Sequence, residues 1–103
     1  MTTSAAPARS WLAPDAAEAR LLYRLEPQYP GDALAAHRAG DIVLEVFVGK
    51  DGAVVSVRTV NGDPLLAGAA EEAVRKWRYE PYRVHGHPAE FQTEVTLRLA
   101  LAQ

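Results

Sequence analysis

The chain contains no cysteine, which excludes disulfides, thiolate nucleophiles and cysteine-ligated zinc sites. It also lacks a long hydrophobic run: nothing approaches the ~20 apolar residues of a membrane-spanning helix, and the N-terminus has no signal-peptide core. Neither sign of charge dominates, because 11 basic residues against 13 acidic ones leave a formal net charge of -2. The molecule therefore has no overall attraction to nucleic acid or anionic lipid.

The motifs of common enzymes are missing too. The chain has no Gly-rich phosphate loop and no G-x-S-x-G, and Ser4, Ser10 and Ser56 fall in a tail or a strand without an adjacent base. With 103 residues, 49% of them hydrophobic, the chain can bury the core of one small domain. We therefore expect one domain with no enzymatic activity and no cofactor.

The start of the chain differs in composition from the rest. Its first residues are mostly Ala, Ser, Thr and Pro, which cannot support a packed core. After Pro14, Asp15 as an N-cap and Glu18 three residues later indicate a short helix. We assign residues 1–22 to a linker or tail that includes this helix, and residues 23–103 to the domain.

Proline and glycine mark the first elements of the domain. Pro27 and Pro30 keep the segment "PQYP" out of a helix, because each proline restricts the residue before it and removes a backbone donor. A helix is predicted over Asp32–Ala39, with acidic charge in its first turn, basic charge in its last and Gly40 just beyond its end.

Two strands with a tight turn follow. "DIVLEVFV" alternates, and its buried face is predicted to carry four residues: Ile42, Leu44, Val46 and Val48. Asp51-Gly52 supplies the positive φ that a hairpin needs before the second strand, "AVVSVRTV".

A second helix and a last strand complete the pattern. Asp63-Pro64 is a helix start, and an apolar stripe recurs at helical spacing, formed by Leu66, Ala69, Ala70, Ala73, Val74 and Trp77. Pro81 ends this helix, and Gly86 with Pro88 indicates a turn. The closing strand alternates most regularly, with Phe91, Thr93, Val95, Leu97, Leu99 and Leu101 on its buried face.

The order α-β-β-α-β indicates an α+β fold in which two helices pack on one face of a three-stranded antiparallel sheet. Three strands leave two open edges. An open edge presents unpaired N–H and C=O groups at regular spacing, which an extended peptide can use to add itself as a further strand.

The stretch "AVRKWRYEPYRVHGHP" favours three interpretations: a nucleic-acid patch, a metal site, or the end of a helix. His85 and His87 are two ligands in a turn without a third, so we expect no metal site. Trp77 falls on the apolar stripe, and basic residues at a helix C-terminus are explained by the helix dipole. Nucleic-acid binding stays open as an alternative.

From about Arg24 to Leu101 the chain resembles a known family, the C-terminal domain of TonB, the energy transducer of the Gram-negative envelope. The resemblance rests on "PQYP", Gly40, the "V-x-x-DG-x-V" hairpin, "AVRKWRYEP" and the closing alternating strand, in that order. It implies a periplasmic domain, tethered to the inner membrane in the full-length protein. Such a domain grips the TonB box, a short extended segment of an outer-membrane transporter, which joins the sheet along its edge strand.

The resemblance also implies roles for particular residues. The implied core anchor is Trp77, with Tyr79 and Pro81 setting the exit of the chain. The implied contact residues lie in two segments and are Glu26, Pro27, Gln28, Tyr29, Pro30, Phe91, Thr93, Glu94, Val95, Thr96, Leu97 and Arg98. Many family members carry Gln where this chain has Glu26, which changes the polarity offered to the partner.

The implied partners are an outer-membrane TonB-dependent transporter and, through an N-terminal anchor that this chain lacks, an inner-membrane energising complex. The Ala/Pro-rich start favours a domain excised from a longer transducer over a stand-alone relative. An alternative is a periplasmic domain of the same fold that binds a different partner, or itself as an intertwined dimer.

Overall fold

The computed structural model describes residues 10–31, 36 and 38–99. In chain order the elements are β1 (Ser10–Trp11), α1 (Pro14–Glu18), β2 (Leu21–Tyr23), β3 (Gly40–Val48), β4 (Val54–Asn61), α2 (Pro64–Arg75), β5 (Arg78–Tyr79), β6 (Tyr82–Val84), β7 (His87–Ala89) and β8 (Phe91–Leu99). Within the described ranges the strands form one four-stranded sheet and two small sheets, β2 with β5 and β6 with β7.

The main sheet has the strand order β1-β8-β3-β4. The central strand β3 pairs antiparallel with β4 and β8, whereas β1 joins the far side of β8 in parallel. The predicted α+β class is confirmed, but the three-stranded antiparallel sheet is wrong, because β1 adds a fourth strand and makes the sheet mixed. A strand of two residues is too short to show an alternating pattern in the sequence.

Side-chain alternation along β3 and β8 builds the core. The inward residues of β3 are at most 1% exposed; they are Ile42, Leu44, Val46 and Val48. Those of β8 are at most 4% exposed, apart from the partly buried Val95; they are Phe91, Thr93, Leu97 and Leu99. Both predicted buried faces are confirmed over the described residues, which end at Leu99 and so exclude Leu101.

Helix α2 begins as its sequence predicts, but it ends at Arg75, before the predicted end at Pro81, and Ala69 of the predicted stripe is only half-buried. The Asp63 carboxylate accepts a hydrogen bond from the Leu65 N–H at 2.9 Å, with Pro64 at the first helical position. The helix buries one stripe against the sheet, formed by Leu66, Ala70, Ala73 and Val74. Trp77 follows the helix and is 3% exposed.

The N-terminal segment is part of the folded unit. Ala17 of α1 is 1% exposed and belongs to the same core as the sheet residues. Residues 10–22, assigned from composition to a linker or tail, therefore contribute to both sheet and core. The predicted N-cap is wrong: the helix begins at Pro14 with Ala13 as its cap, and the Asp15 carboxylate accepts from the Ala16 N–H instead.

The first predicted helix of the domain, Asp32–Ala39, lies largely outside the described residues. The segment before it has no regular structure, which agrees with its prolines, and Leu25 and Tyr29 pack against the core. The predicted turn at Gly86 is confirmed, and it joins two strands that the sequence did not indicate, β6 and β7. Each of these strands has three residues, which is too short for a visible alternation of apolar and polar side chains. Pro88 in β7 also argues against a strand, because proline lacks a backbone donor.

The predicted hairpin between β3 and β4 turns at Gly52, whose φ of +89° favours glycine. A Cβ at this position would lie 2.0 Å from the backbone oxygen of Tyr79. Because the backbones of Gly52 and Tyr79 lie this close together, the Tyr79 N–H donates a hydrogen bond to the Gly52 carbonyl at 2.8 Å. The turn therefore fixes β5, and with it the Tyr79 ring, against the main sheet.

Candidate functional site

The outer edge of β8 is the first feature of the candidate site. In an antiparallel strand the N–H and C=O of one residue point to the same side, and those of its neighbours point to the other. The Gln92 carbonyl points outward, since it accepts from the Leu12 N–H at 2.9 Å. By alternation Glu94, Thr96 and Arg98 also turn their backbone groups outward, while the residues between them bond to β3.

Strand β1 covers the start of this edge. Ser10 lies beside Phe91 and Trp11 beside Gln92, and the Thr93 hydroxyl donates to the Leu12 carbonyl at 2.8 Å. After Leu12 the chain leaves the sheet to form α1. From Glu94 to Leu99 the outer edge has no strand partner among the described residues.

The contact residues implied on β8 are not equally accessible. Phe91 and Thr93 are fully buried, so neither side chain is available to a partner. Thr96 and Arg98 are exposed on the sheet face away from the helices, where Arg98 lies 3.8 Å from Asp41. This face also carries a half-buried carboxylate, Glu45, which accepts from Gln92 at 2.8 Å. Partner contact with β8 would therefore be made mainly through its backbone edge and Glu94 to Arg98.

A groove runs beside the open part of this edge. It has a volume of about 90 Å³. One wall is the strand from Glu94 to Leu97, and the floor includes Trp77 and Tyr79. The opposite wall comes from the N-terminal segment and is formed by Pro14, Ala17, Glu18, Leu21 and Arg24.

Tyr79 is the buried polar residue of the groove. It is 2% exposed, and its ring packs edge-on against Phe91 at a centroid distance of 5.4 Å. Burial raises the pKa of Tyr79 to about 12, and the charges of Arg24 and Glu18 also act on it.

One cation lies between two carboxylates at the rim of the groove. Arg24 lies 3.8 Å from Glu18 and 3.3 Å from Glu26, and its guanidinium stacks over the Trp77 ring at 5.1 Å. These ion pairs are exposed, so each contributes little to stability. They nevertheless hold the guanidinium across the indole, between the groove and the segment that follows it.

The second implied contact segment, Glu26–Pro30, does not lie along β8. Leu25, Glu26 and Gln28 border a different pocket of about 300 Å³, whose other lining residues come from the second half of α2 and from Lys76 just after it. Tyr29 is half-buried, and its hydroxyl donates to the Arg38 carbonyl. Arg24, through its ion pair with Glu26, links this segment to the groove at β8.

The remaining candidates from the sequence are explained by structure. Trp77 is too buried to stack on a base, and Arg75 lies 3.4 Å from Glu71. His85 and His87 are exposed around the β6–β7 turn, and the described residues contain no group of three that could hold a metal ion. Pro81 is half-buried, and its carbonyl accepts from Arg20 at 2.8 Å.

The sequence did not indicate that α1 forms a wall of the site. Ala17 lies in α1 and Leu21 in β2, so no single side-chain periodicity relates these two groove residues. The neighbouring Glu18 and Arg24 gave no signal that they would lie beside Tyr79.

Fold and site together define a small α+β domain with one partly open sheet edge and a groove beside it. A model of the family described as Gram-negative bacterial TonB protein C-terminal matches residues 25–100. The chain belongs to this family.

Curated relatives carry the same name. Protein TonB of Escherichia coli (strain K12) is 36% identical over 64 residues, which are 60% of this chain and 27% of that protein. Protein TonB of Xanthomonas campestris pv. campestris (strain B100) is 35% identical over 77 residues, which are 73% of this chain and 34% of that protein. The chain thus spans about a third or less of the length of these relatives.

Solved structures share the fold. The solution NMR structure of the Pseudomonas aeruginosa TonB CTD has a TM-score of 0.67 at 21% identity, over 82% of this chain and 87% of that one. The structure of the tonb2 protein from Vibrio anguillarum has a TM-score of 0.59 at 27% identity, over 100% of this chain and 93% of that one. None of the helices in the described ranges has the length and apolar character needed to cross a membrane.

Proposed function

We propose that this domain binds an extended segment of a partner protein by strand addition to the outer edge of β8. The observation that carries the proposal is the row of outward backbone groups on Glu94, Thr96 and Arg98, which have no strand partner within the described ranges. Membership of the family supports the further identification of the partner as an outer-membrane transporter and of the segment as its TonB box.

In this proposal the domain is the periplasmic end of a TonB-like energy transducer, with no enzymatic activity. The remainder of such a protein is tethered to the inner membrane and contacts the energising complex there. The domain's role is mechanical: it holds the transporter segment so that energy from the inner membrane reaches the transporter. A force along the paired strands acts on several of the hydrogen bonds between β8 and the transporter segment at once. A sheet edge is therefore suited to this mechanical role.

Affinity is expected to come chiefly from main-chain hydrogen bonds. Each contributes about 0.5–1.5 kcal/mol net, so a change to one partner side chain has a modest effect. Strand β1 limits the site, because it already occupies the edge beside Phe91 and Gln92. An incoming strand therefore pairs from Glu94 onward, and Glu26, at the far end of the Arg24 bridge, tunes selectivity more than affinity.

An NMR titration with an extended TonB-box peptide tests the proposal. The expected result is that amide shifts concentrate on Glu94 to Leu99, with smaller shifts at Glu26–Pro30. Shifts that instead cluster on the basic residues Arg75, Lys76, Arg78 and Arg83 would mean that the peptide binds to a positively charged surface and not to the β8 edge. Either that pattern or the absence of shifts at about millimolar peptide, a very weak affinity, would overturn strand addition for this chain.

A backbone substitution makes the test specific. Thr96→Pro removes one outward donor and places a ring at the edge, yet it breaks no bond to β3, so the fold should persist. Thr96→Ala, which keeps the donor, is the matched control. We expect the proline variant to bind about tenfold or more weakly than the alanine variant, with unchanged amide spectra in α2. Equal affinities would mean that the β8 edge is not the site.

The same open edge supports a second candidate, self-association of two copies through β8. Sedimentation as a function of concentration distinguishes the two. A dimer would appear without peptide, would be disrupted by Thr96→Pro and would compete with peptide binding.

A further inference from the structure

We propose that β1 competes with the partner strand for the edge of β8, and that release of β1 lengthens the binding site toward Phe91. This rests on the proposed strand addition and adds a means of regulating it. With β1 in place, a partner strand pairs from Glu94 onward. When β1 detaches, a longer partner strand takes its position beside Gln92.

Strand β1 occupies backbone groups that a partner strand would use. It lies beside Phe91 and Gln92, and the Leu12 N–H donates to the outward Gln92 carbonyl at 2.9 Å. By alternation, Gln92 begins the row of outward residues that continues at Glu94. The Gln92 carbonyl cannot bond fully to β1 and to a partner at the same time, so the two strands exclude each other at this end of the edge.

Few interactions hold β1 on the sheet. It has two residues and pairs in parallel, which is slightly less stable per residue than antiparallel pairing. The Trp11 side chain is 54% exposed and therefore adds little burial. The next residue, Leu12, contributes its N–H to Gln92 and accepts at its carbonyl from the Thr93 hydroxyl at 2.8 Å. A short strand near a chain end, with few bonds, opens at a low cost in free energy.

The segment after β1 is held firmly, so β1 can detach alone. Ala17 of α1 is 1% exposed and lies in the core. The Arg20 carbonyl accepts from the Glu80 N–H at 2.7 Å, and the Arg20 guanidinium donates to the Pro81 carbonyl at 2.8 Å. When β1 is released it therefore stays tethered beside the edge, and a tethered competitor acts at a high effective concentration.

This competition has a defined effect on affinity. When only a fraction of the molecules has β1 released, the apparent affinity for a strand that needs its position is reduced by that fraction. Loss of one hydrogen bond that holds β1 raises the released fraction by about three- to tenfold, the effect of one net hydrogen bond on an equilibrium. The affinity for a long partner strand rises by the same factor. A short strand that pairs only with Glu94 to Leu99 gains nothing.

Substitution of Leu12 tests this relation without altering β8. Leu12→Pro removes the N–H that bonds to Gln92, and the extended conformation that proline favours at Trp11 is the one that a strand already has. Leu12→Ala is the matched control, because it loses the same half-buried side chain but keeps the donor. The probes are two extended TonB-box peptides, one matched in length to Glu94–Leu99 and one lengthened at both ends.

We expect the long peptide to bind about three- to tenfold more tightly to the proline variant than to the alanine variant. The short peptide should bind both variants equally. In the unaltered domain the long peptide should shift the amides of Ser10, Trp11 and Leu12 more than the short peptide does. Equal affinity of the long peptide for the two variants, or weaker binding to the proline variant, would overturn the proposal.

A reversible covalent link between the two strands is a second test, and it does not depend on how the fold tolerates proline. Trp11 and Gln92 lie side by side in neighbouring strands, a position that suits a disulfide. The chain has no cysteine of its own, so Trp11→Cys combined with Gln92→Cys supplies the only two thiols. Oxidation should weaken binding of the long peptide and leave the short peptide unaffected, and reduction should reverse this. Equal binding of the long peptide in the two redox states would contradict the displacement of β1.

The short peptide separates this proposal from the proposed function. If it shifts the amides from Glu94 to Leu99, but the long peptide responds neither to Leu12→Pro nor to the disulfide, strand addition stands and competition by β1 is wrong. If neither peptide shifts these amides, strand addition fails and the competition fails with it.

Discussion

The indole Nε1 of Trp77 donates a hydrogen bond of 2.9 Å to the backbone carbonyl of Leu25, across 52 residues of sequence. This bond ties the end of α2 to the chain segment that enters the domain. It also sets the indole beneath the Arg24 guanidinium, so that Trp77 serves both as floor of the groove and as anchor of its rim.

Trp77 is therefore expected to be among the most sensitive positions for stability. Trp77→Ala should reduce the free energy of unfolding by about 3–5 kcal/mol, because it empties a buried aromatic site. Trp77→Phe keeps most of the volume but leaves the Leu25 carbonyl without its donor, and should cost about 1–3 kcal/mol. Urea unfolding measures both; a loss below ~1 kcal/mol for alanine would contradict the core assignment.

Two glycines with positive φ provide a matched pair. At Gly52, with φ +89°, a new Cβ would collide with the Tyr79 carbonyl at 2.0 Å; at Gly86, with φ +81°, nothing lies within 4 Å. Gly86→Ala should cost about 1 kcal/mol, the effect of backbone strain alone. Gly52→Ala should cost at least about 2 kcal/mol more, since backbone must move. If Gly52→Ala and Gly86→Ala lowered the melting temperature equally, the turn at Gly52 could move away from β5 without a loss of stability, contrary to this prediction.

The cap of α2 carries a pH dependence. Two hydrogen bonds to its carboxylate hold the pKa of Asp63 below its ordinary value. The larger effect comes from the Leu65 N–H, and the smaller from the Arg38 Nε, which lies 2.6 Å from the carboxylate. Because the folded pKa is lower than the unfolded one, Asp63 stabilises the fold at neutral pH. That contribution is lost as the pH falls through the folded pKa.

Asp63→Asn isolates this effect, because asparagine still caps a helix but does not titrate. The difference in unfolding free energy between the natural chain and this variant should favour the natural chain at neutral pH and shrink toward zero in acid. Denaturant melts over a pH series measure it. A difference that stays constant with pH would exclude Asp63 as the titrating group.

The other edge of the sheet is capped by a side chain. One Glu71 oxygen accepts from the Thr59 N–H at 3.2 Å and from the Thr59 hydroxyl at 2.5 Å, linking α2 to β4. Glu71→Ala should cost about 1–2 kcal/mol and raise hydrogen exchange at the Thr59 amide. Glu72→Ala, an exposed neighbour on the same helix, should stay within about 0.5 kcal/mol. Similar losses in the two variants would mean that the cap contributes nothing.

Much of the fold was predictable where the signal is local. The alternation in β3 and β8, the cap at Asp63 and the turn at Gly52 each depend on residues close together in the sequence. The pairing of β1 with β8 was not predictable, since Ser10 and Trp11 form no pattern and their partner lies at the other end of the chain. The same applies to α1, whose burial depends on a sheet formed later in the sequence.

The candidate site divides in the same way. The resemblance indicated β8 as an edge strand, but only the structure decided that β1 covers its first residues and that Glu94 to Leu99 have no strand partner in the part of the chain that it describes. The two implied contact segments looked equivalent in the sequence. In the structure one borders the open edge and the other faces α2, joined through the ion pairs of Arg24.

The sequence by itself determined which residues face the core, where α2 begins and where the central hairpin turns, because steric preference, capping and side-chain periodicity act between neighbours. Tertiary structure alone decided which backbone groups remain unpaired and which side chains meet around Tyr79. The Thr93 hydroxyl bonds the Leu12 carbonyl across 81 residues, and Glu18 and Tyr79 line one groove. These contacts depend on how segments distant in the sequence pack in three dimensions, and no local sequence pattern encodes that packing.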